Sequence, residues 1–210
     1  MATIPQPSSS QNDPQPAWDV ALLFPSQGEW SEFEYLALDS SRLVELVDGS
    51  LEVLPMPAIS HQLIVEFLFD ILRAFVQRHQ LGKVLFAPLP VRIRAKTFRE
   101  PDVVFFTQQH DARAADKFLK GAGLVIEVVS PDGKSLRRDY DEKRADYAEL
   151  GVPEYWIVDP QIERITVLTL KDGQYVMHGE FAPGQIATSP LIAGFEVDPS
   201  DVFAAGKRLS

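Results

Sequence analysis

The chain has 210 residues, of which 45% are hydrophobic and 24% charged, and it carries a net charge of -10 at pH 7. This composition is typical of a globular protein, and the length is sufficient for one domain with a buried core. The absence of cysteine excludes disulfides, cysteine-ligated metal centres and thiol nucleophiles. The acidic balance disfavours a uniformly basic nucleic-acid binder, although a local basic face stays open.

The N-terminal residues are rich in Pro, Ser and Gln and contain almost no apolar side chain before Trp18. Such a segment buries too little surface to fold, so we predict a flexible tail over 1–19 and a single domain over 20–210. No segment is apolar for long enough to cross a membrane, and the N-terminus lacks the pattern of a secretory signal. We therefore expect a cytoplasmic protein with no membrane partner.

The first predicted elements are a helix and a hairpin. Residues 30–38 read as a short helix with Trp30 and Phe33 on its apolar face. Two β-rich runs then flank Asp48-Gly49, a dipeptide that strongly favours a hairpin turn.

A long helix and a set of strands follow. Residues 60–80 form the clearest helix, with His61 on its apolar face and Gly82 as the stop. The remaining predicted elements are strands at 84–87, 91–95, 101–106, 124–129 and 154–158, a second helix at 134–150, and a hairpin around 171–173. This order predicts an α/β fold with a mixed central sheet flanked by helices.

Three carboxylates interrupt runs that otherwise read as core. Glu45 lies within LVELV, Asp102 opens PDVVFF, and Glu127 lies within LVIEVV. A strand that is apolar on both faces is normally covered on both, so Glu127 is expected to be partly buried. A buried carboxylate needs a partner or takes a raised pKa, which marks these positions as functional candidates. A purely structural ion pair with a buried Arg or Lys is the alternative.

The second predicted helix carries a lysine on its packing face. Leu136, Tyr140, Lys143, Tyr147 and Leu150 follow one another at intervals of four and three residues. The Lys143 ammonium can therefore meet the acids if this helix packs near Glu127. Snorkelling into solvent, or an i,i+4 pair with Asp139, explains the same pattern equally well.

Carboxylates and a lysine in one cleft suit phosphodiester hydrolysis. Hard oxygen ligands favour Mg²⁺ or Mn²⁺, which lowers the pKa of a bound water and neutralises phosphate charge. The lysine would orient the water or stabilise the developing charge.

Three short segments of the chain, taken in order, resemble a known family. The segments REPD at 99–102, IEVVSP at 126–131 and GVPEYWIVDP at 151–160, in that order and with Lys143 between the last two, resemble the Uma-type family of restriction endonucleases within the PD-(D/E)XK nuclease superfamily. The resemblance runs from about Trp30 to the C-terminal region. It implies a restriction-endonuclease-like fold and Mg²⁺- or Mn²⁺-dependent cleavage of DNA.

The resemblance also implies roles for individual residues. Asp102 and Glu127 would hold the metal with the main-chain carbonyl of Val128, and Glu45 would be an additional acid. The superfamily motif places a lysine two residues after the second acid, where this chain has Val129. Lys143 is then the expected replacement on the following helix.

Other candidates are weaker on sequence alone. His61 either takes a direct role near the cleft or is a hydrogen-bonded core residue. Lys134, Arg137 and Arg138 form a basic helix edge that could contact phosphates, diluted by neighbouring acids. Because cutting both strands of a duplex needs two active sites, we expect a homodimer. The alternatives are a non-catalytic nucleic-acid- or protein-binding module that keeps the fold, and a nuclease that acts on RNA.

Overall fold

The computed structural model describes residues 23–107, 117–131 and 136–207, so the predicted tail over 1–19 lies outside the described residues. The helices are α1 Glu32–Leu36, α2 Ile59–Arg78, α3 Lys143–Leu150 and α4 Pro199–Ala205, with a π-helical turn at Arg138–Glu142 directly before α3. The strands are β1 Val44–Val47, β2 Ser50–Val53, β3 Lys83–Phe86, β4 Val91–Arg94, β5 Thr97–Arg99, β6 Val103–Phe106, β7 Leu124–Val128, β8 Glu154–Asp159, β9 Arg164–Lys171, β10 Gln174–Phe181, β11 Ala187–Thr188 and β12 Glu196–Val197.

A six-stranded mixed sheet with the order β10-β9-β8-β7-β6-β3 forms the centre of the fold. Strands β7 and β8 pair in parallel, and the other neighbours pair antiparallel. A parallel pair needs a crossover connection, and the helical segment that ends in α3 supplies it. The predicted α/β fold, with a mixed central sheet flanked by helices, is confirmed.

Helices cover both faces of this sheet. The buried face of α2, which includes Ile64, Leu68 and Leu72, packs with Val103 and Ile126 in one core. Tyr147 of α3 packs on the opposite face, in a second core. This double coverage explains why β6, β7 and β8 are buried at every position, including the carboxylates within β7 and β8.

A second sheet of four strands, in the order β2-β1-β5-β4, was not predicted. The predicted hairpin at Asp48-Gly49 is confirmed as β1 and β2. Strand β5 is only three residues long and too short to give a periodic signal, although all three of its residues are buried. It pairs with both β1 and β4 and so ties the hairpin to the rest of the chain.

The predicted faces of two helices need correction. Phe33 is 81% exposed because α1 spans only five residues and packs through Tyr35, whose ring lies tilted against that of Phe98 with centroids 5.2 Å apart. Leu136 is also exposed, whereas Lys143 and Tyr147 of the same predicted stripe are buried. Both errors arise at helix ends, where the 3.6-residue period has too few turns to define a face.

In the three ranges that the structure describes, no helix has the length and apolar character that crossing a bilayer requires.

Two glycines at matching hairpin positions allow a test of how the small sheet packs. Gly49 and Gly173 share a φ of +78°, but a Cβ on Gly49 would lie 2.4 Å from the main-chain oxygen of Gly28, while one on Gly173 would meet no described atom within 4 Å. Both alanine variants therefore carry backbone strain, and only Gly49→Ala adds a steric overlap. We expect Gly49→Ala to lower the free energy of unfolding by about 1–3 kcal/mol more than Gly173→Ala, as measured by urea unfolding. Equal losses would show that the hairpin does not pack on the Gly28 segment.

Candidate active site

A cavity of about 670 Å³ opens between the two sheets and the start of α2. Its lining includes charged and polar side chains from four separate segments of the chain: His61, Glu100, Asp102, Glu127, Arg138, Asp139 and Lys143. Asp102, Glu127 and Lys143, the central residues of the sequence hypothesis, are therefore brought together in one cavity.

Pairing of β6 with β7 places the two motif acids beside each other. Asp102 immediately precedes β6, and its Oδ2 accepts a hydrogen bond of 2.7 Å from the main-chain N–H of Val128 at the end of β7. Glu127 is the preceding residue on β7 and is only 3% exposed. The strand ends thus hold both carboxylates and the Val128 carbonyl at one edge of the cavity.

Lys143, at the start of α3, reaches this acid cluster from the helix side. Its Nζ lies 2.8 Å from Glu127 Oε2, 3.3 Å from Glu45 Oε1 and 3.7 Å from Asp139 Oδ1. The side chain is 3% exposed, so it does not snorkel into solvent. Of the two alternatives for this lysine, the i,i+4 contact with Asp139 exists, but it is the longest of the three.

The pKa of each acid in this cluster depends on its burial and on the cations close to it. Burial opposes ionisation of Lys143, but Glu127 and Glu45 outweigh it and hold the pKa of the ammonium above its ordinary value. Burial likewise opposes ionisation of Glu45, yet Lys143 and Arg99 together lower its pKa to about 2. Burial raises the pKa of Glu127 to about 8, because Lys143 is its only close cation among the described residues and Asp102 and Asp139 repel its charge. Among the acids around Lys143, the pKa of Glu127 is therefore raised and that of Glu45 is lowered.

Glu45 lies behind Lys143 and is not among the residues that line the cavity. It is fully buried and accepts hydrogen bonds from Arg99 Nη1 at 2.8 Å and from the main-chain N–H of Glu100 at 3.0 Å. Arg99 Nε in turn donates to Asp146 Oδ2 of α3 at 2.7 Å. The result is a buried chain of alternating charges that joins the small sheet to α3.

A π-helical turn precedes Lys143 and carries Asp139. Its i→i−5 hydrogen bond runs from the Lys143 N–H to the Arg138 carbonyl, an arrangement frequent at functional sites. Burial raises the pKa of Asp139 to about 6 even though Lys143 lowers it. Asp139 Oδ1 is buried and makes no hydrogen bond with any described residue.

His61 lies at the start of α2, and its imidazole points at the ends of β6 and β7. Its Nε2 is 2.9 Å from the Val128 carbonyl oxygen and 3.4 Å from Asp102 Oδ2. The structure therefore places His61 beside two of the three atoms that the sequence hypothesis assigns to the metal.

Sequence reasoning did not assign a role to three residues that contact the cluster. Arg99 holds Glu45, the Tyr147 hydroxyl donates to Glu127 Oε1 at 2.6 Å, and Glu100 is a further buried acid on the cavity wall. Burial and the charge of Glu45 raise the pKa of Glu100 to about 7, and its Oε2 has no hydrogen-bond partner among the described residues. Arg99 ends β5 and Glu100 links it to the Pro-Asp motif, so the place of both residues in the fold becomes visible only once β5 is recognised.

The predicted basic edge is only partly described. Lys134 lies outside the described residues, and Arg137 is exposed and lies 3.5 Å from Glu142. Arg138 lines the cavity, with its Nε 3.6 Å from Asp139 Oδ1. Of this edge, Arg138 is thus the cation that borders the acids.

The residues at the cavity fit a divalent cation with a small protein ligand set. Within the described ranges, no three His, Asp or Glu side chains are arranged to hold a metal ion. The candidate ligands are two carboxylates, Asp102 and Glu127, and the Val128 carbonyl. This small set matches the preference of Mg²⁺ for one or two carboxylates with water and phosphate oxygens. Glu100 Oε2 and Asp139 Oδ1 are buried and make no hydrogen bond to a described residue. The cavity therefore has more carboxylate oxygens than the described hydrogen-bond donors satisfy.

The raised pKa of Glu100 yields a test of this excess charge. Its folded pKa of about 7 exceeds the ordinary value of 4.5, so the folded protein keeps a proton that the unfolded chain releases between these values. Stability therefore falls as pH rises from about 4.5 to 7. We expect Glu100→Gln to remove this loss. Between pH 4 and pH 8 the free energy of unfolding of the variant should rise by about 2–3 kcal/mol relative to that of the parent, as measured by urea unfolding of both proteins at both pH values.

Glu66→Gln is the matched control, because Glu66 is exposed on α2. We expect it to leave the pH dependence of stability unchanged. A Glu100→Gln protein with the same pH dependence as the parent would contradict burial of an extra carboxyl at the cavity.

Comparisons with known proteins agree with this architecture. A solved structure described as a putative nuclease belonging to DUF820, from Anabaena variabilis ATCC 29413, matches with a TM-score of 0.71 and 18% identity over 84% of this chain and 98% of that chain. At this identity the likeness shows the fold. A search of curated proteins found no match.

The family model described as "Uma2: Putative restriction endonuclease" matches residues 30–200. The match covers the cavity, both sheets and α2 and α3, and it supports a nuclease that acts on nucleic acid. Because it spans well over half of the sequence, the chain belongs to the Uma2 family.

Proposed function

We propose that this protein is a metal-dependent endonuclease that hydrolyses phosphodiester bonds in DNA through a metal-activated water. The observation that carries the proposal is the convergence of Asp102, Glu127 and Lys143 in one cavity, with the lysine 2.8 Å from Glu127. Family membership supports the same reaction class.

Asp102, Glu127 and the Val128 carbonyl would hold Mg²⁺ or Mn²⁺. When bound, the metal lowers the pKa of a coordinated water and neutralises charge on the phosphate. The N–H of Val128 fixes the Asp102 carboxylate, and the Tyr147 hydroxyl fixes Glu127. Both acids are thereby held in single orientations before substrate arrives, which lowers the cost of reorganisation during the reaction.

Lys143 would orient the attacking water or stabilise the charge that develops on the phosphate. Its ammonium keeps its proton because Glu127 and Glu45 oppose the effect of burial. Glu45 would act as a positioning residue, since it holds Lys143 and does not line the cavity. Arg138 at the cavity, with Arg137 and Lys134 on the same segment, would contact flanking phosphates.

We also propose that the protein is cytoplasmic and forms a homodimer, as predicted from the sequence. A homodimer supplies the two active sites that cleavage of both strands of a duplex requires.

Substitution of the acids tests the mechanism. We expect Glu127→Gln and Asp102→Asn each to lower the rate of plasmid DNA cleavage in Mn²⁺ or Mg²⁺ by about 100-fold or more, because each removes a metal ligand. The rate is measured as conversion of supercoiled to nicked and linear plasmid, and EDTA should abolish it. RNA of the same sequence, tested in parallel, separates DNA from RNA specificity.

Glu180→Gln is the control, since Glu180 is exposed on β10. It should cleave at the parental rate. Parental activity in Glu127→Gln would remove the proposed mechanism.

A non-catalytic binding module is the second candidate. It is favoured by the engagement of both Glu127 carboxylate oxygens with protein donors, Lys143 and Tyr147, and by the acidic net charge. DNA affinity that persists in EDTA, without cleavage in any divalent metal, would establish this candidate instead.

A further inference from the structure

Beside the acids, the cavity is lined by a set of apolar side chains. We call this set the apolar wall and define it by six residues from three separate segments: Leu38, Leu54, Met56, Pro57, Phe86 and Pro88. Met56 is 69% exposed and Phe86 is 52% exposed, so both present apolar surface to a ligand. Exposed apolar surface that continues into a polar, reactive site points to an apolar part of the substrate.

Strand pairing places the apolar wall next to the proposed metal ligands. Phe86 is the register partner of Val103 in the pair of β3 with β6, and Val103 directly follows Asp102. The next N–H along the chain, that of Ala87, donates to the Asp102 carbonyl oxygen at 3.2 Å. The ring of Phe69 on α2 holds Phe86 in a T-shaped contact with centroids 4.7 Å apart. A nucleotide whose phosphate lies at Asp102 therefore has an aromatic ring beside it.

The charge of the described cavity lining is balanced. Its cations are equal in number to its acids: Arg42, Lys117, Arg138 and Lys143 against Glu100, Asp102, Glu127 and Asp139. Proteins hold a duplex largely through contacts of Lys and Arg with its phosphates. A lining of this kind offers little net positive charge to a duplex, and much apolar surface to a base.

We infer that the apolar wall binds the base of the nucleotide at the scissile phosphate, out of its stack, and that the preferred substrate is DNA with unpaired nucleotides. This inference rests on the proposed function, because it concerns the same cavity. An unpaired base has a free π-face, and aromatic side chains stack on that face whichever base it is. In a continuous duplex the base must first leave its stack and its pair, at a cost in free energy that an unpaired nucleotide avoids.

Cleavage of matched oligonucleotides by the full-length protein tests the substrate class. The same end-labelled DNA strand is offered alone, in a full duplex, and in a duplex with one unpaired nucleotide, each with Mn²⁺ or Mg²⁺. We expect kcat/KM for the single strand to exceed that for the full duplex by about tenfold or more. The unpaired nucleotide should direct cleavage of the duplex to its own position.

Removal of the Phe86 ring tests its contact with the base. Phe86→Ala should lower kcat/KM for the single strand by about tenfold, and Phe86→Tyr, which keeps a ring, should recover most of this loss. Met56→Ala should also lower kcat/KM. Phe33→Ala and Met177→Ala are the matched controls, because both residues are at least 61% exposed and lie outside the cavity lining. Circular dichroism checks the folding of each variant.

An abasic nucleotide at the mapped cleavage position distinguishes a contact with the base from a structural effect of the substitution. The parent should lose about the same factor on this strand as Phe86→Ala loses on the intact strand. Phe86→Ala should lose little more on the abasic strand, since the contact is already gone. Losses that multiply would show that the ring does not meet the base.

The outcomes separate the two proposals. Equal kcat/KM for single strand and duplex, or losses that multiply, would overturn the role of the apolar wall and leave the nuclease proposal standing. Absence of cleavage of all three DNA substrates in both metals would overturn both.

Discussion

The buried ammonium of Lys143 is the interaction on which the candidate site depends. It lies within 4 Å of carboxylates from β1, β7 and the π-helical turn. Without it these like charges would face one another with little solvent to screen them, and removal of one partner from a buried ion pair typically costs about 3–5 kcal/mol. The lysine therefore links three parts of the chain through one buried charge.

Arg99 extends this electrostatic link beyond the cavity. By contacting Glu45 of β1 and Asp146 of α3, it connects the small sheet to the helix that crosses the central sheet. Charges in a low-dielectric interior interact strongly, so the same network that holds the two sheets together also sets the charge of each acid. Structure and chemistry are coupled here, because two cations lower the pKa of Glu45 while burial, with Lys143 as the close cation, leaves the pKa of Glu127 raised.

The principal features of the central sheet were readable in the sequence. The nearly continuous apolar runs of β6 and β7 correctly predicted buried strands, and Asp48-Gly49 correctly marked the hairpin turn. The interruption of β7 by Glu127 correctly indicated a buried carboxylate. Strand β5 was not predicted, because three residues are too few to show a periodic pattern. The roles of Arg99 and Glu100 were missed for the same reason. Their contacts depend on pairing with β1, more than fifty residues earlier in the chain.

The sequence by itself determined which residues are apolar, where the chain turns, and that a lysine shares the packing face of its helix. These are local properties, fixed by periods of two or 3.6 residues and by the backbone preferences of Gly, Asp and Pro. Only the tertiary structure decided which acid Lys143 contacts most closely, that Glu45 lies behind it rather than on the cavity, and that His61 meets Val128. Such choices depend on strand order and helix placement, which bring distant segments within hydrogen-bonding distance, and no local pattern encodes a distance across the fold.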